Sequence, residues 1–230
     1  MNLLLVAHGT RDPAGAVVTE RVAERAREAL RVRVAVGYAD VRGPTLAEAL
    51  AALAGPCVAV PMFLAAGYHV RVDVPEQLRA TGRTDVALAG AFGPDPVLVA
   101  AAAGRLAEAG ARDVDAVVLA AAASSDPYAR ADGATAARRL GRTLGRPVAP
   151  APIVLSGRDG VADVVARLRA EGARRVAVAS WLLAPGLFQR NLEQCGADVV
   201  AAPLADHPAV PAVLTSRYEQ ALVTAGSRGA

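Results

Sequence analysis

The chain has 230 residues, 53% of them apolar but only 3% aromatic, with a formal charge of +3. That length suits one large domain or two small ones with proper cores, and a weak, scattered positive charge with so few rings gives no basis for binding nucleic acid. Two lone cysteines, Cys57 and Cys195, with no CxxC argue against a structural zinc site or a disulfide framework, while the lack of a leader pattern or of any apolar run near the ~18 residues of a membrane span predicts a soluble, cytoplasmic protein.

The first predicted element is a buried strand, Leu3-Leu4-Leu5-Val6-Ala7, that stops abruptly at His8-Gly9-Thr10-Arg11-Asp12-Pro13. Short apolar runs bounded by turn residues suit parallel sheets, and ligands in open α/β sheets bind at the carboxyl ends of strands, where His8 stands. A helix follows over 15–30, with Val18, Val22, Ala26 and Ala29 on one face. A second strand over 32–38 ends at Gly37-Tyr38-Ala39-Asp40, and Pro44-Thr45 opens a helix through Leu53, with Pro44 near its first position. A third strand over 57–64 runs into Ala65-Ala66-Gly67-Tyr68-His69, which puts a second histidine just past a strand end. A helix over 70–81 with Pro75 near its start, a fourth strand over 86–91, the turn Gly93-Pro94-Asp95-Pro96 and a helix over 97–109 complete the first half. Strand and helix alternating at this spacing predict a parallel sheet with helices on both faces.

The chain then begins again. Matching Asp126-Pro127 to Asp12-Pro13 sets Ser124 against Thr10 and Ala122 against His8. The run from Val176 to Arg190 lies on the third strand and the residues after it: Gly186 meets Gly67, Phe188 meets His69 and Arg190 meets Arg71. The helix near 161–168 resembles the one near 46–53. The reading is an α/β class protein of two similar lobes, residues 1–112 and 113–230, each a parallel sheet flanked by helices, with an active-site cleft between them. A last helix over 209–223 precedes a polar tail expected to fray. Both histidines of the first lobe are replaced by apolar residues in the second, so the lobe as such does not require them.

His8 and His69 are the sharpest constellation. Imidazole binds divalent transition metals and titrates near neutral pH, and neighbouring parallel strands lie about 4.8 Å apart, so two strand-end histidines can share a centre. Against this stands the plain reading in which each bonds a loop carbonyl. His207, between Asp206 and Pro208, reads as a loop residue. Asp40 lines a cleft or merely makes a turn, and Thr10 with Arg11 binds an anion beside the first helix or Thr10 simply N-caps it. Arg71 and Arg190, at matched positions, bind carboxylates or are solvated helix residues. No G-x-G-x-x-G follows the first strand, and there is neither a P-loop nor a G-x-S-x-G elbow. A histidine phosphatase would place an arginine before its strand-end histidine, where this chain has Ala7.

Val6 through Pro13, Pro61 through Pro75 and Gly93-Pro94-Asp95-Pro96 together resemble the CbiX/SirB-type sirohydrochlorin chelatases, relatives of class II ferrochelatases. The likeness covers nearly the whole chain, since the family's long members have two such lobes. It implies ATP-independent insertion of Fe2+ or Co2+, with Ni2+ also admissible, into sirohydrochlorin in siroheme or cobalamin biosynthesis. It implies that His8 and His69 are both catalytic residues and metal ligands. The metal is then a substrate, and no tightly bound cofactor is expected. Ala122 and Phe188 imply one active site per chain, and Thr10 keeps the hydroxyl of the family's serine. The candidate substrate contacts are Thr10, Arg11, Tyr38, Gly67, Tyr68, Arg71 and Arg190. The expected partners are sirohydrochlorin and a divalent metal ion, without nucleic acid or membrane, in a monomer or homodimer. A non-catalytic metal or tetrapyrrole carrier is the alternative, and a pseudoenzyme scaffold is a third reading.

Overall fold

Strand β1 (Asn2–Ala7) is the centre of the first sheet, and its leucines are fully buried because both faces are covered. The computed structural model describes residues 1–155 and 158–227. β1 pairs in parallel with β2 (Val34–Tyr38) on one side and β3 (Cys57–Pro61) on the other, and β3 pairs with β4 (Val86–Leu88), in the order β2-β1-β3-β4. The chain leaves β1 toward β2 and then crosses to β3 on the opposite side. The carboxyl ends of β1 and β3 therefore flank a topological switch point, the place where open α/β sheets leave a crevice.

Helix α1 (Pro13–Leu30) starts at Asp12, whose side chain accepts the Ala14 N–H, and buries Val18, Val22, Ala23 and Ala26. The short α2 (Leu46–Ala51) is started by a capping box in which Thr45 and Glu48 satisfy each other's backbone N–H groups. Pro44 thus precedes the N-cap instead of occupying the first helical position. Leu46, Leu50, Val74 and Leu78 cover one face of the sheet against Leu4, Val6, Cys57 and Ala59. The other face takes α1 and the last helix, α8 (Ala209–Gly226). The expected third and fourth strands are shorter than the apolar runs suggested, ending at Pro61 and Leu88. A π turn, His69–Asp73, leads into α3 (Val74–Ala80), so Pro75 lies inside a continuous helical segment. Proline has no N–H to give the Arg71 carbonyl and crowds the preceding turn, and the widened π turn accommodates both defects.

The second sheet repeats the first with order β6-β5-β7-β8: β5 (Ala116–Ala122), β6 (Val148–Ile153), β7 (Val176–Trp181) and β8 (Val199–Val200). The internal repeat predicts equivalence of Leu3 with Val117 and of Val58 with Ala177. Leu3 pairs with Val58, and Val117 pairs with Ala177, so the two sheets share one register. The helix starts repeat as well. Asp12 caps α1 and has its N–H held by Thr10 Oγ, while Asp126 caps α5 (Pro127–Leu144) and has its N–H held by Ser124 Oγ. α6 (Val161–Ala170) and α7 (Leu187–Leu192) cover one face through Val161, Val165 and Leu192.

The repeats and the compact units do not coincide. The compact units are Met1–Gly93 with the segment from Pro208 onward, and Pro94–His207. α4 (Pro96–Glu108) follows β4 in sequence yet packs on α5 and β7, whereas α8 follows β8 yet packs on α1, β3 and β4. Each unit completes one helical face with the last helix of the other repeat, so a boundary drawn at 110–113 from the repeat falls after α4, already inside the second unit. The last helix runs three residues past the expected end at 223, to Gly226, and the rest of the expected tail from 228 on lies outside the described residues. Among the described residues no helix is long and apolar enough to cross a membrane.

Candidate functional site

Both histidines stand at the switch point of the first unit. His8 directly follows β1, and His69 opens the π turn eight residues beyond β3. Their ring centroids are 4.6 Å apart with an interplanar angle of 79°, and Phe63 lies 6.2 and 6.1 Å from the two. His8 is exposed and His69 half-buried.

His69 is oriented by two residues that sequence reasoning did not select. Its Nδ1 is 2.8 Å from Asp73 Oδ2, and the Gln77 amide donates to Asp73 Oδ1 at 2.9 Å and to the Ala39 carbonyl at 2.8 Å. Burial raises the Asp73 carboxyl, but the hydrogen bonds from Gln77 and His69 outweigh it and leave the group below its ordinary value. A carboxylate on Nδ1 selects the tautomer that leaves the Nε2 lone pair for a metal or a proton. The spacing His69, Asp73, Gln77 was a legible signal, since residues four apart share a helix face. His8 has a weaker restraint, Nδ1 at 3.3 Å from the Gly9 carbonyl. Among the described residues no group of three or more His, Cys, Asp or Glu side chains is placed to hold a metal. The arrangement is therefore a pair of imidazoles, one of them strongly oriented, which can hold an ion loosely and can accept protons.

The other predicted positions divide. Tyr68 is exposed and its ring stands 6.0 Å from that of His69. Gly67 supplies the carbonyl that accepts the N–H groups of Val70 and Arg71 and so starts the turn that carries His69. Arg71 is exposed on that turn, and Arg11 is exposed after β1. Thr10 neither caps α1 nor stands free; its Oγ1 holds the N–H of Asp12, the true N-cap. Tyr38 does not reach the surface: it is 4% exposed, because β2 ends with its ring turned into the unit. Asp40 makes the turn, its Oδ1 accepting the Val41 N–H at 2.6 Å. Arg190 is exposed on α7 of the second unit. His207 stands in the turn before α8. Gly93 keeps the first unit's strand ends close: a side chain there would meet the Leu64 carbonyl oxygen at 2.2 Å. Asp95 caps α4 through the Val97 N–H.

In the second unit all three positions of this network differ. Ala122 stands for His8, Phe188 for His69 and the fully buried Leu192 for Asp73. Removing the orienting carboxylate together with the imidazoles leaves no buried charge without a partner.

Residues 2–109 match the CbiX family. The sirohydrochlorin cobaltochelatase of Methanococcoides burtonii is 34% identical over 90 residues, which are 37% of this chain and 69% of that protein. The chain belongs to the CbiX family. Its likeness to the sirohydrochlorin cobaltochelatase of Methanothermobacter thermautotrophicus is 35% over 82 residues, 34% of this chain and 57% of that relative. The chain thus spans less than two thirds of the first curated relatives it matches. The fold of this CbiX-family chain is that of SirB from Bacillus subtilis, solved with Fe3+: the TM-score is 0.80 at 22% identity, covering 98% of both chains.

Proposed function

We propose that the protein is an ATP-independent sirohydrochlorin chelatase that inserts Fe2+ or Co2+ into the metal-free macrocycle, with one active site per chain at His8 and His69. The observation that carries this reading is the pair itself. Two imidazoles lie edge to face at 4.6 Å at the switch point of one sheet, and one of them is set by Asp73. Family membership supports the same chemistry.

Metal insertion exchanges two pyrrole N–H protons for one divalent ion. The ion must be held long enough to meet the macrocycle and weakly enough to leave, and two imidazoles without a carboxylate or thiolate cage meet both demands. The released protons need acceptors at the same place. The Nε2 of His69 is the better placed acceptor, because the hydrogen bond between Nδ1 and Asp73 fixes the tautomer and leaves the Nε2 lone pair available. His8, with its longer hydrogen bond to the Gly9 carbonyl, supplies the second imidazole to the ion. Binding energy from the peripheral carboxylates would bend the macrocycle toward the ion.

A spectrophotometric insertion assay with sirohydrochlorin and each divalent ion in turn tests the proposal. We expect turnover with wild type and none with His8→Ala or His69→Ala, both retaining the native circular dichroism spectrum. Full activity in the double variant would overturn the assignment. Metallation that stops at one equivalent of protein would identify a carrier.

A further inference from the structure

The loop after β2 carries a charge that the histidine pair does not use. Arg42 lays its guanidinium over the ring of Tyr38, 5.0 Å from the centroid. The ring is a fixed platform: it is buried, and its hydroxyl is bonded to Thr19. The chain turns back on itself at Val41, which has φ 69 and is the one β-branched residue with positive φ among the described residues. That conformation is strained for a β-branched side chain, and such strain persists only where the surroundings impose it. Asp40 imposes it from both ends, its side chain accepting the Val41 N–H and its carbonyl accepting the Arg42 N–H at 2.8 Å.

The same loop is tied to the metal-site histidine. The Asp40 N–H donates to the His8 carbonyl at 3.1 Å. A side chain at Gly9 would lie 2.4 Å from the Asp40 carbonyl oxygen and 3.3 Å from Cγ of Arg42, so the arginine stem passes over the residue next to His8. Arg42 is exposed, and among the described residues it forms no ion pair. A guanidinium stacked on an aromatic face still presents its donor edge, which matches a carboxylate with two parallel hydrogen bonds.

We propose that Arg42 is a substrate-binding residue whose guanidinium, stacked on Tyr38 beside His8, receives a peripheral carboxylate of the tetrapyrrole and sets the register of the macrocycle over the histidine pair. The inference rests on the chelatase reading. Its cost in ordering is low, because stacking and strain already hold the side chain in place.

The test compares wild type with Arg42→Gln and Arg42→Lys in the full chain. Binding of metal-free sirohydrochlorin is followed by the tetrapyrrole's own absorbance, Co2+ binding is titrated without tetrapyrrole, and KM and kcat come from the insertion assay. Arg42→Gln should raise Kd and KM for the tetrapyrrole about tenfold, the loss expected of one charge-assisted contact, with kcat and Co2+ affinity unchanged. Arg42→Lys should recover only part, since the ammonium keeps the charge but lacks the planar fork. Unchanged tetrapyrrole Kd and KM in Arg42→Gln would overturn the inference while leaving the chelatase reading intact. A parallel loss of Co2+ affinity would also overturn it, by showing that Arg42 acts through the His8 loop. If wild type binds sirohydrochlorin without turnover and Arg42→Gln still weakens binding, the chelatase reading fails and the carboxylate contact stands. If wild type does not bind sirohydrochlorin, both fail.

Discussion

Asp73 decides which nitrogen His69 offers, because its carboxylate accepts from Nδ1 and is itself held by Gln77. Groups of this kind tune a metal ligand without touching the ion, and their loss commonly costs 10- to 100-fold in metal affinity. Asp73→Asn should therefore lower Co2+ affinity by about that factor with little change in melting temperature, as measured by titration and thermal denaturation. Val41 is a second residue whose conformation matters more than its side chain. Glycine at this position has no Cβ to strain at φ 69, so Val41→Gly should stabilise the fold by about 1 kcal/mol in urea denaturation, after the larger unfolded-state entropy of glycine is taken off.

The π turn is the element that carries both His69 and Asp73, and Pro75 just beyond it cannot donate to the Arg71 carbonyl. Pro75→Ala returns an N–H that can reach the Arg71 carbonyl, allowing a regular helix that keeps His69 and Asp73 on one face but turns the His69 ring relative to His8. The expected outcome is a loss of metal-insertion activity of about tenfold or more, as a 1 Å misplacement can cost, with a melting temperature equal to or above that of wild type. The matched element of the second unit, α7, is an ordinary α-helix with Leu192 buried where Asp73 would stand. Its Gln189 instead bonds Ser180 Oγ and the Ala201 carbonyl inside the core. The repeated strand and cap pattern is thus filled with packing in one unit and with two imidazoles and a hydrogen-bonded carboxylate in the other.

For the whole molecule, the repeat predicts stoichiometry: one Co2+ per chain, abolished by His8→Ala and unaffected by Phe188→Leu, read by isothermal titration. Acid stability is a second property of the whole. Asp115 accepts the N–H groups of Arg175 and Arg174, and Asp198 accepts that of Val176 and pairs with Arg169. These bonds hold both carboxyls below the ordinary aspartate value. Groups lowered on folding contribute stability above their unfolded value and lose it as pH falls through the folded one. Urea midpoints should therefore drop below pH 4, and in Asp115→Asn with Asp198→Asn the drop should be shallower from a lower starting stability.

Much of this protein is legible in its residues. The apolar runs, the abrupt His8 and His69 after strands, and the Asp-Pro helix starts determine a twice-repeated parallel α/β design, because burial on both faces, turn chemistry and capping act over a few neighbouring residues. The asymmetry of the pair was also legible, since Ala122 and Phe188 stand at the matched places. Tertiary structure alone decided the rest. The register that brings the two rings to 4.6 Å, the burial of Tyr38 and the stacking of Arg42 on it depend on residues distant in sequence. So does the exchange of α4 and α8 between the repeats. An amphipathic helix shows which face is apolar but not which sheet will cover it, and only packing chooses between two nearly identical sheets.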